Sequence, residues 1–156
     1  MILDGYEKIG CDAINVGHYE LAAGLPFLKK MDTECDIPFI SANLRDAGTG
    51  ELLFDPYVII ERTGLKIGIV GVTAMKPDTM KSVSADDYKT AGNRAIDQIK
   101  HEVDMIAVLV NIERGPQQSL LGTFAEADFI YTSGSTHLTR PTNHQKEGGP
   151  YLYSFG

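Results

Sequence analysis

Three short stretches of this sequence set metal-binding or anion-binding side chains directly after apolar runs. "INVGHYE" brings His18, Tyr19 and Glu20 after Gly17; "VLVNIERG" brings Asn111 and Glu113; "SGSTH" brings Ser135, Thr136 and His137. Imidazole nitrogens and amide or carboxylate oxygens are donors that zinc or manganese accepts. His18, Asn111 and His137 are therefore candidate ligands for a divalent metal, with Glu20, Glu113, Ser135 and Thr136 in the same cleft. The backbone N–H groups of "SGSTH" could form an anion nest. Inert readings stand beside these: a loop histidine hydrogen-bonded to its neighbours for His18 and His137, and for Glu20 a carboxylate favoured at a helix start by the helix dipole. Ser135 lacks a GxSxG elbow and is not read as a nucleophile.

Such residues need rigid elements to aim them, and the apolar pattern supplies these. Short β-rich runs alternate with longer helical ones, the signature of βαβ units around a largely parallel inner sheet. "DGYEKIG" reads as a helix closing on Gly10, "DAINV" as a strand, and "GLPFLKKMDTE" as a helix with Leu25, Leu28 and Met31 inward and Pro26 in its first turn. "IPFISANL" reads as one strand and "YVIIERTGLKIGIVGVT" as a hairpin turning at Thr63 and Gly64. Its second arm, "KIGIVGV", is apolar nearly throughout, as expected of a central strand covered on both faces. A helix is predicted from Ala85 to His101 with Ala91, Ala95, Ile99 and Tyr88 inward, then a strand "DMIAVLVN", a short helix "QQSLLGTFAEA" and a strand "DFIYTSG". A polar loop "TRPTNHQKEGG" and a last strand "PYLYSF" follow. Ligands of open α/β sheets bind at the carboxyl ends of the strands, where "GHYE", "NIERG" and "SGSTH" lie.

Composition narrows the partners. The 156 residues carry a formal charge of −7 with no run of Lys or Arg, which argues against nucleic-acid backbones and anionic membrane surfaces. No apolar run is long enough to span a bilayer, and "MILDGYEKIG" lacks the basic and apolar regions of a signal peptide, so the chain as written is expected in the cytoplasm. An in-frame upstream extension with a secretory signal would make it periplasmic or extracellular. Cys11 and Cys35 have no metal-binding spacing and are expected as free thiols.

The order of these segments resembles the calcineurin-like metallophosphoesterases, in particular their 5'-nucleotidase branch, along nearly the whole chain. "CDAINVGHYELAAGLPFLKK" is similar to that branch's strand, GNHEF loop and following helix. "IPFISANLRDAGTGELLFDPYVIIERTGLKIGIVGVT" is similar to its next block, "VDMIAVLVNIERG" to the segment ending in SHLG, and "ADFIYTSGSTH" to the one ending in GGHTH. The resemblance implies a layered αββα-type fold, with mixed sheets and flanking helices, incomplete at both ends, as a single partial domain over residues 1–156. It also implies hydrolysis of phosphate esters such as nucleotides by two divalent metals, which polarise the phosphoryl group and generate hydroxide.

The ligand positions depart from that pattern. His18 stands at the Asn of GNHE, Tyr19 at its catalytic His, Asn111 at the His of SHLG and Ser135 at the first His of GHTH; His137 keeps a family ligand. The opening DxH and the bridging Asp have no counterpart, and two neighbouring divalent ions need such a bridge to offset their repulsion. Tyr19, whose phenol ordinarily titrates near pH 10, is a poor replacement for an imidazole; stacking on a base or bonding a phosphate suits it better. The expectation is a diverged domain with hydrolysis weak or absent in this chain alone, with a zinc or manganese ion or none. The alternative is a non-catalytic protein that binds a ligand or a partner in the old cleft. Open sheet edges are expected to favour a homo-oligomer.

Overall fold

Alternation of apolar residues with helical runs yields a mixed α/β fold built on one large sheet. The structure, a computed structural model, describes residues 2–113, 117–134 and 142–154, the side chains of residues 2–4 and 142 excepted. Along the chain lie α1 (Ile2–Ile9), β1 (Ile14–Asn15), α2 (His18–Ala22), α3 (Leu25–Glu34), β2 (Phe39–Ile40) and β3 (Leu44–Asp46). Then come β4 (Tyr57–Arg62), β5 (Leu65–Thr73), β6 (Val83–Ala85), α4 (Tyr88–Ile99) and β7 (Met105–Asn111). A 3-10 turn (Gln117–Ser119), α5 (Leu120–Thr123), β8 (Phe129–Ser133), β9 (Thr142–Gln145) and β10 (Tyr151–Ser154) complete the order.

The large sheet has the order β4-β5-β7-β8-β10-β9. Its four inner strands are parallel, while β4 and β9 run antiparallel at the edges. One face is closed by α4 and α5. Val70, Val72, Val108, Ile130 and Leu152 meet Ala95, Ile96, Leu120 and Phe124 there, all at most 2% exposed. A β-carbon on Gly92 would fall 2.7 Å from the Phe124 ring, so that glycine is what lets α5 approach α4. Asp87 caps α4 by accepting the Thr90 N–H at 2.8 Å.

A smaller layer lies across the other face. Its strands β1 and β2 pair in parallel, β3 pairs with β6, and α2 and α3 cover them with Leu21, Leu25, Leu28 and Met31. The side of the sheet is fixed by Gly71, whose absent β-carbon would meet Asn15 Oδ1 at 2.6 Å and Ile40 at 2.8 Å.

The hairpin turns as expected, with Thr63 and Gly64 both at positive φ, 53° and 81°, as a two-residue type I′ connection requires. Elsewhere the chain departs from expectation. "IPFISANL" is not one strand, because Ala42 N–H leaves the β1 ladder to bond Gly71 O at 2.7 Å and Asn43 then brackets Thr73. The predicted helix from Ala85 is shorter, since Val83–Ala85 is held as β6 against β3 and Asp87 fixes the start at Tyr88. Part of the polar loop "TRPTNHQKEGG" is strand: β9 pairs with β10 through its backbone, for which polar side chains are no obstacle at an edge. Strand β5 is internal, yet its second face is closed only toward its carboxyl end; Ile67 and Ile69 remain partly exposed.

Candidate functional site

The carboxyl ends of β1, β5 and β7 converge, and side-chain amides fasten them together. Asn15 Nδ2 donates to Val72 O (3.0 Å) and Leu109 O (3.2 Å), so β1 is joined to the sheet by a side chain. Asn43 Nδ2 donates to Thr73 O (2.8 Å) and Asp86 O (3.1 Å), and its Oδ1 accepts Thr73 N–H at 2.9 Å. Thr73 Oγ1 donates to Val16 O. Asn43 and Thr73 are at most 2% exposed, and such buried polar groups are tolerated because they are bonded.

"GHYE" is not a loop that precedes a helix: α2 begins on His18 itself, with Gly17 as its cap residue. Glu20 Oε2 reaches back to accept Gly17 N–H at 3.0 Å, half of a capping box. Asn111, at the end of β7 and 5% exposed, accepts His18 N–H on Oδ1 at 3.1 Å. Its amide fits because its neighbours are glycines. A β-carbon on Gly17 would lie 2.7 Å from Asn111 Cγ and Nδ2, and one on Gly134 would lie 3.0 Å from Nδ2. His18 and Asn111, separated by 93 residues, thus meet through the His18 backbone N–H rather than through two ligand side chains.

The His18 ring stands edge-on to Tyr19, centroids 5.4 Å apart, and its Nδ1 is buried with no hydrogen-bond partner among the described residues. Tyr19 is 53% exposed and Glu113 is exposed. Ser135, Thr136 and His137 lie outside the described residues. Sequence reasoning missed Asn15, Asn43, Thr73 and the Gly17–Gly134 cradle. Their signal was present as polar residues or glycine interrupting apolar strand ends.

The two-metal centre implied by the resemblance does not fit these donors. Among the described residues no three His, Cys, Asp or Glu side chains come together around a common point. Asn111 Oδ1 and Glu20 Oε2 are engaged with backbone N–H groups at the start of α2. His18 Nδ1 is buried and has no hydrogen-bond partner among the described residues, and one imidazole nitrogen is less than a metal pair demands.

No protein-family profile matches the sequence. The 5'-nucleotidase of Vibrio cholerae serotype O1 is 32% identical over 102 residues, covering 62% of this chain and 18% of that protein. A putative 5'-nucleotidase from Staphylococcus aureus has a similar structure, with a TM-score of 0.79 at 17% identity over 99% of this chain and 34% of that one. The calcineurin-like phosphoesterase YfkN from Bacillus subtilis gives a TM-score of 0.71 at 24% identity, over 85% of this chain and 47% of the other. The matched segment spans less than a fifth of the Vibrio protein's length.

Proposed function

We propose that this chain, a partial metallophosphoesterase-type domain of the 5'-nucleotidase branch, keeps the cleft at its strand ends as a place for a phosphate ester such as a nucleotide and hydrolyses it weakly or not at all by itself. One observation carries this reading. The side chains that stand nearest the expected ligand positions are used to hold α2: Asn111 on His18 N–H and Glu20 on Gly17 N–H. What they leave uncommitted is the buried His18 Nδ1, without a hydrogen-bond partner among the described residues, and the exposed phenol of Tyr19. An imidazole N–H suits a phosphate oxygen and a phenol ring suits a base, so the residues support binding and orientation. In the family, divalent metals supply the activated hydroxide.

The test is adenosine monophosphate titrated calorimetrically into the purified chain, beside phosphate release measured with zinc or manganese added. Binding weakened by His18→Ala or Tyr19→Ala, with no phosphate release above the metal-only control, is the expected result. Stoichiometric metal retained through gel filtration, together with multiple turnovers abolished by His18→Ala, would overturn it.

A further inference from the structure

Two inner strands of the large sheet begin with the same spelling and the same hydrogen bonds. "VDMI" leads into β7 and "ADFI" into β8, each with an aspartate two residues before an isoleucine. Asp104 N–H donates to Lys66 O at 2.8 Å, and the Asp104 carboxylate accepts Lys66 N–H at 2.8 Å. Asp128 N–H donates to Ile106 O at 2.9 Å, and the Asp128 carboxylate accepts Ile106 N–H at 2.8 Å. In both cases one aspartate grips both backbone groups of a single residue on the neighbouring strand, one place before the first pair of the ladder. Strand β7 is therefore held on both sides, and Asp128 O also accepts Tyr151 N–H at 2.9 Å where β10 begins.

A carboxylate suits this place because the incoming strand starts there. The neighbour's N–H meets a charged acceptor instead of a further carbonyl, which makes the stronger bond. Both aspartates are exposed, so no charge is buried to obtain it. A third "CDAI" precedes β1, but Asp12 pairs with Arg62 and Ile14 N–H goes to Pro38 O. The spelling alone does not make the grip.

Apolar patterning leaves the register of these strands under-determined. Parallel strands have no tight turn between them to fix their pairing. On β7 the row facing α4 is Ile106, Val108 and Val110, beside Val70 and Val72 of β5. A slide by one residue exchanges the faces, but a slide by two sets one branched aliphatic residue where another stood. That slide is about 6.6 Å. It would carry Asn111 away from His18 N–H and from the cradle of Gly17 and Gly134, and part Ile112 N–H from Ser133 O. Asn15 adds a tie between β5 and β7 nearer their carboxyl ends.

We propose that Asp104 and Asp128 are positioning residues, which from the amino ends of β7 and β8 fix the register of β5, β7 and β8 and so place Asn111 against the start of α2. They act over roughly 15–25 Å along the strands. What matters is the acceptor oxygen opposite Lys66 or Ile106, and the charge strengthens it.

The test is amide hydrogen exchange of the purified chain, with Asp104→Ala, Asp128→Ala and Asp128→Asn beside the parent and denaturant unfolding of each. In the alanine variants the His18 and Ile112 amides are expected to exchange about tenfold faster or more, as for one lost hydrogen bond to a charged group, beyond any change at the α4 amides. Asp128→Asn keeps an acceptor oxygen and is expected to stay within about threefold of the parent. Both aspartates are exposed, and the Asp104→Ala result stands if Asp128→Ala does not fold. Acceleration by one common factor at His18, Ile112 and α4 would make the aspartates general stabilisers and overturn the proposal. Unchanged exchange at His18 and Ile112 would overturn it too, as would Asp128→Asn exchanging as fast as Asp128→Ala. Exchange reports register without any ligand present, so these outcomes leave the phosphate-ester reading to its own titration.

Discussion

The two faces of the large sheet are made by the same strands and come out differently. Toward α4, Val70, Val108, Ile130 and Leu152 reach zero exposure; on the opposite side their immediate neighbours Ile69, Ala107, Phe129, Tyr131 and Tyr151 stay partly or openly solvated. The difference teaches that apolar side chains on both sides of a strand state a requirement for two covers. Which cover is present is decided by residues far away in sequence, such as Phe124 on one side and Asn15 with Ile40 on the other.

Substitutions can sharpen this contrast. Phe124→Ala empties the closed side and is expected to cost about 3–5 kcal/mol in denaturant unfolding. Gly17→Ala comes next. Gly17 has φ −111°, which alanine accepts, so any cost comes from the methyl group meeting Asn111. About 1–3 kcal/mol is expected for such overpacking, with loss of amide-exchange protection at His18. Asn15→Ala is expected at about 1–2 kcal/mol for two lost hydrogen bonds, again read by denaturant unfolding. Tyr151→Ala, an aromatic deletion on the open side, is expected to change the stability of a dilute sample by no more than about 0.5 kcal/mol. A loss equal to that of Phe124→Ala would show that the second face is covered within the monomer and would erase the contrast.

The smallest effect concerns acid. Hydrogen bonds from the Thr90 hydroxyl and N–H hold the Asp87 carboxyl below its usual range. A folded-state value below the unfolded one contributes stability present above the unfolded pKa and lost as pH falls through the folded one. Asp87→Asn is therefore expected to flatten the acid limb of a stability-against-pH curve slightly and leave neutral pH nearly unchanged. A steeper limb in the variant would contradict the capping role.

Much of this fold was legible in advance because periodicity and turn chemistry are local. The alternation at "YVIIERTGLKIGIVGVT" and the Thr63–Gly64 dipeptide specify a hairpin without reference to the rest of the chain, and Pro26 marks the start of α3. What was not legible depends on partners distant in sequence. Nothing in "IPFISANL" says that Gly71 will take the Ala42 N–H, and nothing in "TRPTNHQKEGG" says that β10 will need an edge. The site was read in the same divided way. His18 and Asn111 were singled out as candidate ligands by type and by their place at strand ends, but the roles of Glu20 and Asn111 as backbone acceptors follow from α2 starting one residue after Gly17, which periodicity does not fix.

The anchoring of β1 through Asn15 has a consequence for synthesis on the ribosome. Its amide needs the carbonyl of Leu109, 94 residues later, and the carbonyl of Val72, 57 residues later. At roughly 5–20 residues per second the first corner of the protein waits on the order of 5–20 seconds before its fastening exists. During that interval the short β1–β2 pair and the apolar underside of α2 and α3 lack the platform they rest on, a window in which a nascent-chain chaperone could act. A stalled chain released before β7 emerges is expected to be degraded, while one released after it already owns its corner.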